Sequence, residues 1–297
     1  MAKKFYYGGQ AVIEGVMLRG QKTVVTVVRR PGGGLAMDVR PLSAIYTGWM
    51  RQAPLIRGVI VLIEAMVLGI KTLLYSASVS LEEEEEKISG GLVLVIVVTS
   101  LVLSVALFFV APLLITKLLD PYIGSSLVFH LIEGLIRLTV FIVYLRLVIL
   151  LPDIKRVFAY HGAEHKVINA YEDGAPLEVD AARGYNKAHV RCGTSFLFAV
   201  LIIAIVVFAL IGRPSVWLML LSRILLIPVI AGLSYEVINF GGRHKNNSLV
   251  RAILAPGLWL QGLTTREPDD SQLEVALAAL NELVEADQLE VAAQDSS

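Results

Sequence analysis

Long runs without charge alternate with short polar joints along this chain, and the joints set the architecture. Four runs reach the roughly 20 apolar residues that a helix needs to cross a bilayer. Gly91–Leu119 is free of charge until Lys117, and Thr194–Gly212 carries none. Ser125–Leu151 holds His130, Glu133, Arg137 and Arg146, while Ser215–Phe240 holds Arg223, Pro228 and Glu236. The joints Asp120–Gly124 and Arg213–Pro214 leave room only for turns, so the pattern predicts two transmembrane hairpins, 91–151 and 194–240. Glu133 and Arg137, at i and i+4, read as an intramembrane ion pair, and His130 as a hydrogen-bonded interior histidine or a proton relay. Arg223 and Glu236 are separated by about 20 Å of helix and need partners elsewhere.

A fifth apolar stretch, Leu55–Val79 within segment 42–90, is interrupted by Glu64 and Lys71 and followed by the acidic run Glu82–Glu86. If it spanned, the basic segment 152–193 would lie opposite the basic N-terminus. If it lies on the surface, segments 1–57, 152–193 and 241–251 all share the cytoplasmic side, as the Lys/Arg bias favours. The expectation is an interfacial or re-entrant helix, with both termini cytoplasmic and the chain in a bacterial inner membrane.

The flanks differ in period. Residues 1–41 read as a small β unit, with apolar runs at Ala11–Leu18, Thr23–Val28 and Leu35–Val39 and a hairpin turn at Arg30-Pro31-Gly32-Gly33-Gly34. Between Gly8 and Gly20 the glycines bracket a strand bearing Glu14 and Arg19, which read as a salt-bridged turn or as a Glu14 contribution to a site. The stretch has no phosphate-loop spacing. The tail, 241–297, contains Ser271-Gln272-Leu273-Glu274, a capping box that opens an amphipathic helix with Leu273, Leu277, Leu280 and Val284 on one stripe. That stripe reads as a packing face rather than a partner-binding one.

Composition agrees with the pattern: 56% hydrophobic, 18% charged and a mean hydropathy of +0.69 exclude an ordinary cytosolic enzyme, a disordered chain and a coiled coil. Net charge is zero but uneven, with nine Lys/Arg against two acids in 1–57 and one against nine in 264–297. No coherent basic face for nucleic acid emerges, and the basic excess fits membrane orientation. A single cysteine excludes an intrachain disulfide framework. The first residues lack a signal-peptide apolar stretch, so an internal segment is expected to drive insertion.

Chemistry concentrates on few residues. Two of the five histidines form His161-Gly162-Ala163-Glu164-His165. On a helix both imidazoles face one way and can share an ion, while Glu164 beside them can take a proton from metal-bound water. The order H-x-x-E-H is that of the inverted zincins. Further ligand candidates are His189, Cys192, Glu236 and His244, all at one membrane level in the expected topology. Their mixed donors suit Zn2+ without excluding iron or manganese. Against this stand plain alternatives: a histidine pair bonded to carbonyls or lipid headgroups, and Cys192 as a small buried hydrophobe.

With these residues in view the chain resembles the YqhQ-like family of bacterial membrane proteins. The segments that carry the likeness are Gly8-Gly9-Gln10-Ala11-Val12-Ile13-Glu14-Gly15-Val16-Met17, Tyr160-His161-Gly162-Ala163-Glu164-His165-Lys166 and Arg191-Cys192-Gly193-Thr194-Ser195-Phe196. Ser234-Tyr235-Glu236, Pro256-Gly257-Leu258-Trp259-Leu260-Gln261 and Thr264-Thr265 add to it. Val190 departs from the family pattern, which has proline after the histidine. The resemblance implies a predicted metal-dependent enzyme, a label that rests on the same histidines.

Two functions follow from the residues. One is a metal-dependent hydrolase at the cytoplasmic membrane surface, with Glu164 as general base. The other is a membrane scaffold or assembly factor that holds another membrane protein or a second copy of itself. A transporter would need polar residues continuing across the bilayer, and the first and third crossings lack them.

Overall fold

The computed structural model describes residues 7–81, 90–244 and 247–295. The acidic run Glu82–Glu86 lies outside them. Four antiparallel strands open the chain in the order β1 (Gly8–Val12), β2 (Gly15–Arg19), β3 (Thr23–Arg29) and β4 (Leu35–Pro41). The run Ala11–Leu18, expected as one strand, is cut by a turn at Ile13-Glu14, where Glu14 has φ 52°. Gly15 follows because a Cβ there would sit 2.2 Å from the Val27 carbonyl oxygen. The expected β3–β4 turn is present, with Gly33 and Gly34 in the left-handed region.

Strand alternation gives the sheet two apolar faces, and both are covered. Val16, Leu18, Val25 and Val27 pack against the two helices α6 (Pro152–Asp173) and α12 (Asp270–Asp295). Val12, Met17, Val24, Val28 and Ala36 pack against Leu68, Tyr75 and Val79 of α2 (Ile56–Ser80), which follows the short α1 (Ala44–Thr47). The stripe Leu273, Leu277, Leu280 and Val284 of α12 is the packing face. Its capping pair is Asp269 with Gln272 rather than Ser271 with Glu274: Asp269 Oδ1 accepts from Gln272 N–H at 2.9 Å and Gln272 Oε1 from Asp269 N–H at 3.0 Å.

Among the described residues, four helices are long and apolar enough to cross a membrane, or five if one bent pair is a single span. Three are the first three expected crossings: Gly90–Tyr122, Ser126–Val148 (α5) and Gly193–Ile211 (α8). The fourth is α2, expected to be interfacial. The expected fourth crossing is instead a pair, α9 (Val216–Leu225) and α10 (Ile227–Arg243), bent by 50°. Pro228 explains the break, since it has no N–H for the Ile224 carbonyl and its ring crowds that oxygen.

The first crossing is irregular too. It comprises α3 (Gly90–Val105), one π turn (Ala106–Val110) and α4 (Ala111–Leu119). Pro112 deprives the Phe108 carbonyl of its helical donor, and Arg137 Nε supplies the missing bond at 3.0 Å. No residue of α3 is buried, and Leu94, Val102 and Leu103 are each more than 60% exposed.

The acids of the expected crossings find partners across the fold. Glu133 binds Arg137 and also Arg223, while Glu236 binds Arg57. Glu14 and Arg19, read as a mutual pair, part company: Glu14 binds Arg156 and Arg19 binds Glu64. The turn at Ile13-Glu14 causes this, because Glu14 stands in the turn itself and Arg19 at the far end of β2. Segment 241–297 also holds a helix beyond the expected one, α11 (Ser248–Thr264), packed on α8 with Leu249, Ile253 and Trp259 exposed.

Candidate metal centre

The H-x-x-E-H segment lies in the middle of α6. Pro152 at its first turn fixes φ where no N–H is needed, and Gly174 ends it in the left-handed conformation at φ 77°. His161 and His165 therefore share a face, with ring centroids 4.4 Å apart. Cys192 comes from the N-cap of α8, where its Sγ accepts from Thr194 N–H at 3.4 Å. The ligand atoms of His161, His165 and Cys192 all lie within 4.8 Å of one another.

Backbone carbonyls fix how the imidazoles present themselves. His161 Nδ1 donates to the Thr264 carbonyl at 2.8 Å and His165 Nδ1 to the Lys187 carbonyl at 2.7 Å. A carbonyl only accepts, so Nδ1 carries the proton and Nε2 keeps its lone pair. His161 Nε2 points at Cys192 Sγ, 3.2 Å away. Burial holds the His165 pKa below the ordinary imidazole value, which favours its neutral, ligating form. Two imidazoles tethered through Nδ1 and one sulfur form a grouping of three donors that could hold a metal ion.

The supporting shell comes from three segments far apart in sequence. Gln261 on α11 receives His189 N–H at 2.9 Å and donates Nε2 to the His189 carbonyl and to Ser195 Oγ, both at 2.7 Å. Thr264, whose carbonyl anchors His161, bonds Thr194 through its hydroxyl at 3.1 Å. Gly162 lets the chain pass closely, since a Cβ there would lie 2.0 Å from the Arg266 carbonyl oxygen. Residue type and spacing do not single out Gln261 and Thr264 as site residues. Their polarity at the end of an otherwise apolar helix was the available signal.

The remaining candidates divide. Glu164 is 4% exposed beside His161, and burial raises its pKa to about 7 against the lowering effects of His161 and the Gly9 N–H. Its Oε2 has no hydrogen-bond partner. It stands next to the three-atom grouping rather than in it. The His189 ring is 5.8 Å from that of His165, but its Nε2 faces Glu172 Oε1 at 3.4 Å without forming a hydrogen bond. Glu236 is not brought to the site, because Arg57 and the Leu55 N–H occupy its carboxylate. His244 is also elsewhere, stacked on Phe240 at 4.2 Å with Nδ1 on the Phe240 carbonyl.

Among known proteins, the chain is 37% identical over 297 residues to the "Uncharacterized protein YqhQ" of Bacillus subtilis (strain 168), covering 95% of this chain and 93% of that protein. No solved structure matches. Residues 53–286, which include α6, Cys192 and α11, match the family described as "Protein of unknown function (DUF1385)". The chain therefore belongs to the DUF1385 family, with YqhQ as a relative along nearly its whole length.

Proposed function

We propose that this is an integral membrane protein with a transition-metal site, zinc by its donor set, where a soluble layer meets the membrane helices. The carrying observation is that two carbonyl-tethered imidazoles and one sulfur from separate elements converge within 4.8 Å. Hydrolysis is the chemistry this arrangement suits. Zinc, when bound, lowers the pKa of its water to about 7. Glu164, poised near neutrality, would hold the proton released, and the carbonyls of Thr264 and Lys187 would keep both rings oriented.

Topology follows from charge and packing. The basic N-terminal segment, α6 and the end of α10 would share the cytoplasmic face. In α2 the exposed stripe Ile56, Ile63, Met66 and Leu73 would rest in lipid, while Thr72, Ser76 and Val79 face the sheet. A helix with half its length under a sheet suits the membrane surface better than a crossing. A scaffold role has one supporting feature, the free edge β4 with Leu35, Met37 and Val39 exposed, which suits a membrane-protein partner or a second copy.

The test is the metal content of detergent-purified protein by elemental mass spectrometry, alongside His161→Ala and His165→Ala. Near-stoichiometric metal in the wild type and its loss in both variants is the expected result. A wild type that stays empty after zinc titration would overturn the metal reading and leave the scaffold.

A further inference from the structure

Among the described residues, nothing pairs with the outer edge of β4, the last strand of the sheet. Backbone bonds at its two ends, from Arg30 N–H to the Gly34 carbonyl and from Leu42 N–H to the Lys22 carbonyl, set the alternation of the strand. Counted in twos between them, Ala36, Asp38 and Arg40 turn their N–H and carbonyl groups to β3. Leu35, Met37 and Val39 turn theirs outward. Pro41 fits the count, because it falls at an outward position, where the ladder needs no N–H. Among the described residues, no group bonds the outward backbone of Leu35, Met37 or Val39.

The same three residues carry apolar side chains that are between 40 and 44% exposed. They stand opposite Arg29, Val27 and Val25, whose side chains face α6 and α12, so the apolar row continues that face past the rim of α12. On the other face Asp38 Oδ2 lies 2.7 Å from Arg40 Nε. Only Nε of this guanidinium is engaged, and its Nη atoms bond nothing among the described residues. The Arg40 side chain is 55% exposed. A charged pair and a proline on an edge repel an arbitrary strand, but they select one that brings the opposite charges in register.

We propose that β4 pairs with β4 of a second copy of this chain, antiparallel and about a twofold axis at Val39, so that two sheets join into one of eight strands. Centred on Val39, the register sets Asp38 of each copy opposite Arg40 of the other, within reach of its unused Nη atoms. Val39 meets Val39 as a hydrogen-bonded pair, and Met37 N–H donates to the Pro41 carbonyl of the second copy. A register centred on Asp38 would stack two like charges, and one centred on Met37 would leave Asp38 and Arg40 opposite Ala36 and Gly34. Symmetry favours a second copy as well. The axis stands perpendicular to the sheet, and α2, read as lying on the membrane surface, runs beneath it. The axis is then parallel to the membrane normal, as two copies in one bilayer require. The proposal rests on that placement of α2, deepens the scaffold reading and is independent of the metal.

The experiment is disulfide cross-linking of full-length Val39→Cys and Met37→Cys, in detergent and in native membranes, beside the dimer dissociation constant in detergent from light scattering. Across the axis the Cα atoms at 39 are about 5.5 Å apart, within disulfide reach, and those at 37 are about 13 Å apart, beyond it. Wild type, with buried Cys192, gives the background. Expected is a cross-linked dimer from Val39→Cys in both media and none from Met37→Cys. Val39→Pro removes an N–H that the β3 ladder does not use, so the fold and the metal content should stay while the dissociation constant rises about 30-fold, for two lost bonds. Asp38→Lys should weaken the dimer, and Asp38→Lys with Arg40→Glu should restore it. Monomers throughout, a dimer indifferent to Val39→Pro, or cross-linking at 37 in place of 39 would overturn the proposal. Cross-linking of Val39→Cys to a different protein would also overturn it and assign the edge to another partner. A dimer in detergent with no cross-link in membranes would overturn the placement of α2, and pairing within a bilayer with it.

Discussion

Gln261 and His189, 72 residues apart, bind each other as neighbouring strands do: the side-chain amide of one takes up both the N–H and the carbonyl of the other. This double bond pins the loop that leads into Cys192 to the end of α11, whose Thr264 carbonyl holds His161. One amide thus fixes the relative position of two of the three candidate ligands.

Gln261→Ala should leave the His189 N–H unpaired, at a cost of about 1–3 kcal/mol, and its carbonyl with the Cys192 N–H alone. The expected result is a lower unfolding midpoint and zinc affinity reduced by about 10–100-fold, the usual effect of losing an orienting partner. Chelator competition at a temperature where both proteins are folded checks this. Unchanged affinity would assign Gln261 to folding alone.

Cys192→Ala should lose metal as His161→Ala and His165→Ala do, whereas Glu236→Gln and His244→Ala should keep it. The last two side chains are engaged by Arg57 and Phe240. Elemental analysis of the five variants separates the converging set from the candidates that merely share a membrane level.

Gly162→Ala adds one methyl group where the Arg266 carbonyl oxygen would be 2.0 Å away. The 264–266 segment must then move, and the Thr264 carbonyl with it. Far-ultraviolet circular dichroism should show helix content retained while zinc affinity falls. Wild-type affinity would show that the segment yields without disturbing His161.

Glu133→Gln leaves Arg137 and Arg223 buried without a full counter-charge, a change that costs about 3–5 kcal/mol when one partner of a buried pair is removed. A sharp loss of monodisperse protein, or an earlier denaturation midpoint in detergent, is the expected outcome. Wild-type stability would mean that the arginines reach water or another anion.

Glu172 supplies a pH dependence. Despite desolvation, the His189 ring beside it and the Arg191 guanidinium bonded to it hold its carboxyl at about 2, below the ordinary carboxylate value near 4.3. The unfolded chain therefore binds the proton first as pH falls. The stabilisation is complete above the unfolded value and disappears as pH drops through 4 towards 2. Melting curves should show a steeper acid limb for the wild type than for Glu172→Gln. Parallel limbs would mean that the pair is solvated.

Much of the site could be read in one dimension. H-x-x-E-H placed His161 and His165 on one helical face because the α-helical period does so in any context. Cys192 could be named but not placed, since only the tertiary fold brings the N-cap of α8 to those rings. Glu236 and His244 are as plausible by residue type, yet distant Arg57 claims the first and Phe240, one helical turn back, holds the second. Ala11–Leu18 is apolar but for Glu14-Gly15, and periodicity does not show that the run divides there into two strands. Pro112 and Pro228 stand inside runs read as unbroken crossings, so the irregular helices they make appear only in the structure.

The sequence alone determined what depends on neighbours within a few residues: the apolar helices and their hairpins, the Gly33-Gly34 turn, the stripe of α12 and the shared face of His161 and His165. Hydrophobic length, backbone φ preference and helical period act locally, so these need no knowledge of the rest of the chain. Only the tertiary structure decided which charges pair, that Cys192 completes the cluster, and that Gln261 and Thr264 hold it. Those outcomes turn on desolvation, because a buried charge or amide must find a partner wherever the packed elements present one, at any distance along the chain.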